Sequence, residues 1–189
     1  ALLLPALAAW VVETRDDGEV EERWTRWWIV ASLIQWISYG ALLVMPLCAL
    51  ILSGALYRRL GLRGVLRFAA MGSVWLASFA VHYGLSLQYT DNNRYLRDYW
   101  AGHILPRGLD AAGVVAWIGE RFERLANNPG GSDWVVAFWC AALLGCVVTR
   151  RHLLGAMFAS VPVAGFVLAV IRQVPLEDRL ALWIVPSLY

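Results

Sequence analysis

"WWIVASLIQWISYGALLVMPLCALILSGALYRRLGLRGVLRFAAMGSVWLASFAVHYGLSLQ" occupies residues 27–88, and its Arg residues fall in one place only, the stretch RRLGLRGVLR at 58–67. Apolar segments lie on either side, from Trp27 to Tyr57 and from Phe68 to Gln88. An α-helix rises about 1.5 Å per residue and the hydrocarbon core of a bilayer is about 30 Å thick, so some 20 apolar residues cross it. The second segment fits one crossing. The first exceeds one crossing, so it is expected to tilt, to kink near Gly40 or Pro46, or to begin as an interfacial turn carrying Trp24, Trp27 and Trp28.

The rest of the chain extends this pattern. Of 189 residues, 60% are hydrophobic and 16% charged, more apolar material than a soluble domain of this length would bury. Apolar runs of helical length separated by short charged segments argue for helices rather than the alternating strands of a barrel. The expected fold class is therefore an all-α integral membrane protein, a multi-span helix bundle, with residues 1–189 forming one transmembrane domain. The approximate spans are 1–12 (partial), 27–57, 68–88, 134–149, 153–171 and 180–189 (partial). The partial runs at both ends read as a fragment of a longer protein.

Charge gives the expected orientation. Segments 58–67 and 150–152 carry Arg without acids, whereas 13–26, 89–133 and 173–179 mix Arg with Asp and Glu. By the positive-inside rule the mixed segments 13–26, 89–133 and 173–179 are expected outside. Within 89–133, "DAAGVVAWIGERFERLA" (110–126) has Val114, Ile118, Phe122 and Leu125 at helical spacing, with Glu120, Arg121, Glu123 and Arg124 on the remaining surface. This predicts an amphipathic helix on the outer membrane face, opened by Asp110 as N-cap and closed by NNPGG (127–131).

Little else in the composition points to a cofactor. Cys48, Cys140 and Cys146 all lie in apolar runs without His at ligand spacing, so they read as buried small hydrophobes. All 16 basic residues are Arg, which suits either bidentate phosphate binding or biased codon usage.

The charges near the end of the chain carry more information. "VPLEDRLALWIVPSLY" (174–189) sets Glu177, Asp178 and Arg179 against an apolar run, and Arg172 ends the preceding span. An acidic pair suits the positive end of a helix, and Arg179 could pair with Asp178 or snorkel. Two guanidinium groups flanking one turn at headgroup depth could equally hold a lipid phosphate, each charge-assisted hydrogen bond contributing about 1.5–3 kcal/mol.

"PLEDRLALWIVP" (175–186) resembles the "YPFGGRLLLFLLP" stretch near the C-terminal end of many bacterial membrane glycosyltransferases of the GT-C type, the group related to protein mannosyltransferases and lipid A aminoarabinose transferases. "YLRDYWAGHILP" (95–106) resembles that family's outer segment, in which a Tyr-Trp pair precedes a Pro. NNPGG (127–131) resembles the turn before its next span, and Arg150 with Arg151 ends that span on the inside. The resemblance covers residues 68–189, and the earlier part by topology alone. It implies a multi-pass enzyme of the bacterial cytoplasmic membrane that moves a sugar from a polyprenyl-phosphate carrier to an acceptor on the extracytoplasmic face. Its partners are the polyprenyl-phosphate-linked sugar and membrane lipids, with no nucleic acid.

The family's catalytic base is an acid usually placed in the first outer loop, which would lie upstream of Ala1; Asp16 and Asp17 are not assigned to it. By carry-over, Arg179 contacts the carrier phosphate or the sugar and stabilises charge on the leaving phosphate. The family's small residues are replaced here by Glu177 and Asp178, which would suit an acceptor hydroxyl or a phosphate bridged by a divalent metal ion. The remaining substrate-binding candidates are Asp178, Arg172, Tyr99, Trp100 and His103, with Tyr99 and Trp100 stacking on a sugar or lying in the aromatic belt. His82, near the outer end of its span, reads as a proton relay or as a neutral hydrogen-bonded side chain. Asp91 and Asp98 could assist the acceptor, or begin a turn and pair with Arg94 respectively. A transporter or flippase of a lipid-linked substrate would need more mid-span polar groups than Gln35, Ser38, Ser73, Ser78 and Ser160. A non-catalytic membrane assembly subunit would need no outer acid.

Overall fold

The computed structural model describes residues 3–95, 98, 104–128, 130–149 and 153–172. Among them there is no strand. The helices are α1 (Leu3–Glu13), α2 (Asp17–Ile34), α3 (Tyr39–His82), a π-helical turn (Tyr83–Leu87), α4 (Gln88–Asp91), α5 (Ala111–Asn127), α6 (Val135–Thr149) and α7 (Leu153–Val170). By length and composition one helical run, Tyr39–Leu87, is long and apolar enough to cross a membrane.

The apolar segment 27–57 is not one rod. α2 ends at Ile34, residues 35–38 turn, and α3 restarts behind Ser38, whose hydroxyl accepts from Ala41 N. Upstream, the segment expected as a loop at 13–26 is mostly the first half of α2. Asp16 caps it by accepting from Gly18 N at 2.9 Å, and Glu19–Arg23 and Glu22–Arg26 ion pairs run along one face.

The Arg-rich stretch 58–67 is helical as well, broken only at Gly61 with φ 67° and ψ −166°. That backbone conformation is reached essentially by glycine alone. Contacts with α2 show what the break does. Arg59 pairs with Asp17 at 2.8 Å, whereas Arg67 pairs with Glu21 at 2.7 Å, Trp28 reaches Phe68, and Trp36 lies on His82. Residues 39–60 thus run antiparallel to α2, and 62–82 return parallel to it. Each arm is roughly 30 Å long at helical rise.

This geometry corrects the expected sidedness of the first polar segment. Residues 13–26 and 58–67 were expected on opposite faces, yet ion pairs join them directly, with Arg59 also donating to Thr14 O. Two groups in contact lie at one end of the bundle.

Aromatic side chains close the interior of that bundle. Trp24, Trp27 and Trp28, which one of the three alternatives for 27–57 sets at a membrane interface, are buried around Phe68 with ring centroids 5.0–6.0 Å from it. Two of the indole N–H groups find partners on other helices: Trp27 Nε1 donates to Leu4 O at 3.1 Å and Trp28 Nε1 to Phe68 O at 2.9 Å. Gly72 permits this approach, because a Cβ there would sit 3.0 Å from the Trp28 ring. Met157 and Val161 of α7 complete the cluster with Leu4, Ala8, Val44, Cys48, Leu52 and Leu56.

A second, smaller cluster joins α5, α6 and the far end of α7: Leu105, Trp117, Leu125 and Ala169, flanked by Val114, Ile118, Trp139 and Phe166. Asp110 caps α5 through Gly113 N at 2.8 Å, as the sequence predicts. Arg121, expected on the polar surface, is buried instead, its guanidinium 5.1 Å from the centre of the Trp117 ring. α5 packs on protein along this side because Trp117 and Arg121 extend the apolar stripe of Val114, Ile118 and Leu125.

Candidate functional site

Polar side chains gather where α2 meets the returning arm of α3. Helical spacing puts Trp75, Ser78 and His82 on one face of that arm. Opposite them, Gln35 closes α2 and Trp36 begins the turn. Gln35 Nε2 donates to Ser78 Oγ at 2.8 Å, Trp36 Nε1 donates to the same oxygen at 3.0 Å, and Ser78 Oγ donates to Ser32 O at 2.9 Å. The Ser78 hydroxyl therefore uses its donor and both acceptor sites. His82 is stacked on Trp36 with ring centroids 4.5 Å apart and planes 20° apart.

Three buried polar atoms in this neighbourhood have no partner: Gln35 Oε1, Trp75 Nε1 and His82 Nδ1. A buried polar group without a hydrogen bond costs about 1–3 kcal/mol. The π-helical turn begins immediately after His82, and π turns concentrate at functional sites.

The opposite end of the bundle is ionic. Arg23 bonds Glu19 at 2.6 Å, donates to Trp10 O at 2.6 Å and lies 4.5 Å from the Trp10 ring centre. Hydrogen bonds from Thr14 and then Arg23 hold the Glu19 carboxyl below its ordinary value of 4.5. Asp16 and Asp17 are occupied as a helix cap and as the partner of Arg59, which gives both acids structural work.

Of the substrate-binding residues expected from sequence, Arg172 is described. It ends α7 in the left-handed region, φ 67°, with its N–H donating to Ala169 O at 3.0 Å, a helix-terminating conformation that a non-glycine residue adopts at some cost. Arg179, Asp178, Tyr99, Trp100 and His103 lie outside the described residues, as do Glu177 and the pair Arg150 and Arg151. Asp98 lies 3.8 Å from Arg94, both well exposed. Asp91 ends α4. Among the described residues no three His, Cys, Asp or Glu side chains are grouped to hold a metal ion.

The sequence names His82, and names Gln35 and Ser78 as mid-span polar groups, but does not join the three. Ser78 is four residues before His82 and could have been found by following that helical face. Gln35 was visible only as an isolated polar residue in an apolar run, because its partner is 43 residues away. Arg121 was missed because Glu120, Glu123 and Arg124 surround it in GERFER and Phe122 alone there belongs to the apolar stripe. Comparison with known protein families, curated proteins and solved structures finds no match to this chain.

Proposed function

We propose that the chain is a multi-span helical domain of the bacterial cytoplasmic membrane, belonging to a glycosyltransferase that moves a sugar from a polyprenyl-phosphate carrier to an acceptor on the extracytoplasmic face. The observation that supports this reading concerns residues in or near the three segments that resemble the GT-C type. Leu105 of 95–106, Leu125 just before 127–131 and Ala169 just before 175–186 belong to one cluster. Described residues in or near the three segments thus share one cluster.

The reversals of the chain support this arrangement of spans. The two arms of α3 supply two consecutive crossings, with 58–67 on the cytoplasmic side and residues 35–38 on the other; α2 packs along both arms and keeps its charged first half, residues 17–26, at the cytoplasmic end. α6 and α7 add two more, which puts α5 and the Gln35–Ser78–His82 cluster on the same outer side. Seven Arg residues lie between positions 15 and 67, all outside the turn at 35–38, in keeping with the positive-inside bias.

In this reading Arg179 faces the carrier phosphate, where a fixed guanidinium offsets charge growing on the leaving group. Arg172 lies seven residues earlier at the end of α7. The test is sugar transfer by membrane vesicles containing the complete protein, supplied with labelled polyprenyl-phosphate sugars, for wild type and Arg179→Ala. A loss of at least about tenfold in correctly inserted variant, equivalent to some 1.4 kcal/mol of transition-state stabilisation, is the expected result. Transfer unaffected by the substitution removes Arg179 from the site; no transfer from any donor contradicts the enzyme reading.

A further inference from the structure

The four Arg residues of 58–67 divide into two kinds. Arg59 and Arg67 face α2 and are held by Asp17 and Glu21. Arg58 and Arg63 are exposed, and no described acid pairs with either. They flank Gly61, the residue at which α3 turns back. Around them Tyr57, Leu62 and Leu66 are each more than half exposed.

We infer that the reversal of α3 is a binding site for anionic phospholipid headgroups, with the Arg58 and Arg63 guanidinium groups contacting the lipid phosphate and Tyr57, Leu62 and Leu66 lying against the adjoining acyl chains. Three physical points support the assignment. A guanidinium binds phosphate oxygens through two parallel N–H groups, and Arg58 and Arg63 retain that capacity because α2's acids are engaged elsewhere. Arg63 stands in the first turn of the returning arm, where the helix dipole disfavours a cation; a phosphate there is favoured by both the dipole and the side chain. Exposed apolar side chains beside unpaired cations match the boundary between headgroups and acyl chains.

The site lies at the cytoplasmic end in the proposed topology and does not depend on the glycosyltransferase reading. The full chain in neutral detergent is titrated with phosphatidylglycerol, with phosphatidylcholine and with inorganic phosphate, and thermal stability is recorded. Phosphatidylglycerol is expected to raise the midpoint at concentrations where phosphatidylcholine and free phosphate do not, and added salt is expected to weaken the effect. Arg58→Gln/Arg63→Gln should need on the order of thirtyfold more phosphatidylglycerol for half the shift, and either single variant about fivefold more. Arg94→Gln, an exposed Arg away from the reversal, should respond as wild type. If the double Gln variant fails to fold, Arg58→Lys/Arg63→Lys keeps the charge but loses the fork, and its response should weaken severalfold. An unchanged phosphatidylglycerol response in the foldable double variant, or an equal response to phosphatidylcholine, overturns the inference. A shift with free phosphate alone assigns the site to an inorganic anion and overturns the lipid.

Discussion

Around Phe68 and around Phe122 the molecule packs aromatic rings at similar distances and to different effect. Phe68 is 1% exposed and is enclosed by three Trp residues; those at 27 and 28 also bond the backbone of other helices. Phe122 stands 4.4 Å from Trp139 and 4.3 Å from Phe166, and Trp139 Nε1 donates to Phe122 O at 2.9 Å. Yet α6, which supplies Trp139, leaves Val136, Leu143, Leu144 and Val148 mostly uncovered. The first region is a closed core; the second is a cap attached to it by one side. An apolar helix with so open a surface suits a lipid environment, where exposed Leu and Val carry no penalty and helices associate through packing.

The largest expected contrast is between tryptophans of the two regions. In detergent, Trp28→Ala should cost about 3–5 kcal/mol by emptying the core and removing the bond to Phe68 O, while Trp134→Ala should stay within about 0.5 kcal/mol. Denaturant or thermal unfolding followed by fluorescence measures both; equal losses would erase the distinction. Next comes Gly61→Ala, which places a Cβ in a glycine-only conformation and should cost about 1–3 kcal/mol, against a near-neutral Gly54→Ala in open space nearby. Ser78→Ala leaves the Gln35 and Trp36 donors without their shared acceptor and should cost about 1–3 kcal/mol in the same assay, unless water replaces the hydroxyl.

The smallest effects belong to the ionic end. Arg67→Gln removes an exposed pair and should cost about 0.2–1 kcal/mol, less as salt is added. Glu19 gives a pH signature. Its carboxyl is held low in the folded state, so its contribution is present above the unfolded value of 4.5 and is lost as pH falls through the lower folded value. Glu19→Gln should therefore flatten stability against pH on the acid side of 4.5 and leave its shape unchanged at neutral pH.

Helicity, the amphipathic stripe of α5 and the Asp110 cap were legible because they depend on spacing within a few residues. The start of α2 was legible too, in the Glu19–Arg23 and Glu22–Arg26 pairs, but positive-inside bookkeeping drew attention to the charge of 13–26 rather than to its helical period. The turn at 35–38 was hidden because Gln35, Trp36 and Ile37 read as a continuing apolar run; only Ser38, an N-cap residue, announced a new helix. At Gly61 the signal was a Gly-x-x-Gly pair within an Arg cluster, which read equally well as a loop. The polar cluster and the ion pairs to Asp17 and Glu21 join residues about 40 apart, and no local pattern specifies such partners.

Sidedness tests the central claim most directly. In a background lacking native Cys, single cysteines replace Glu22, Arg63, Ser38 and Ser132, and intact vesicles of known orientation are treated with a membrane-impermeant maleimide. The proposed arrangement predicts labelling of Glu22→Cys and Arg63→Cys from the cytoplasmic side, and of Ser38→Cys and Ser132→Cys from the opposite side. Labelling of Glu22→Cys together with Ser132→Cys, on the side away from Arg63→Cys, would contradict the reversal at Gly61 and the pairing of α2 with both arms of α3.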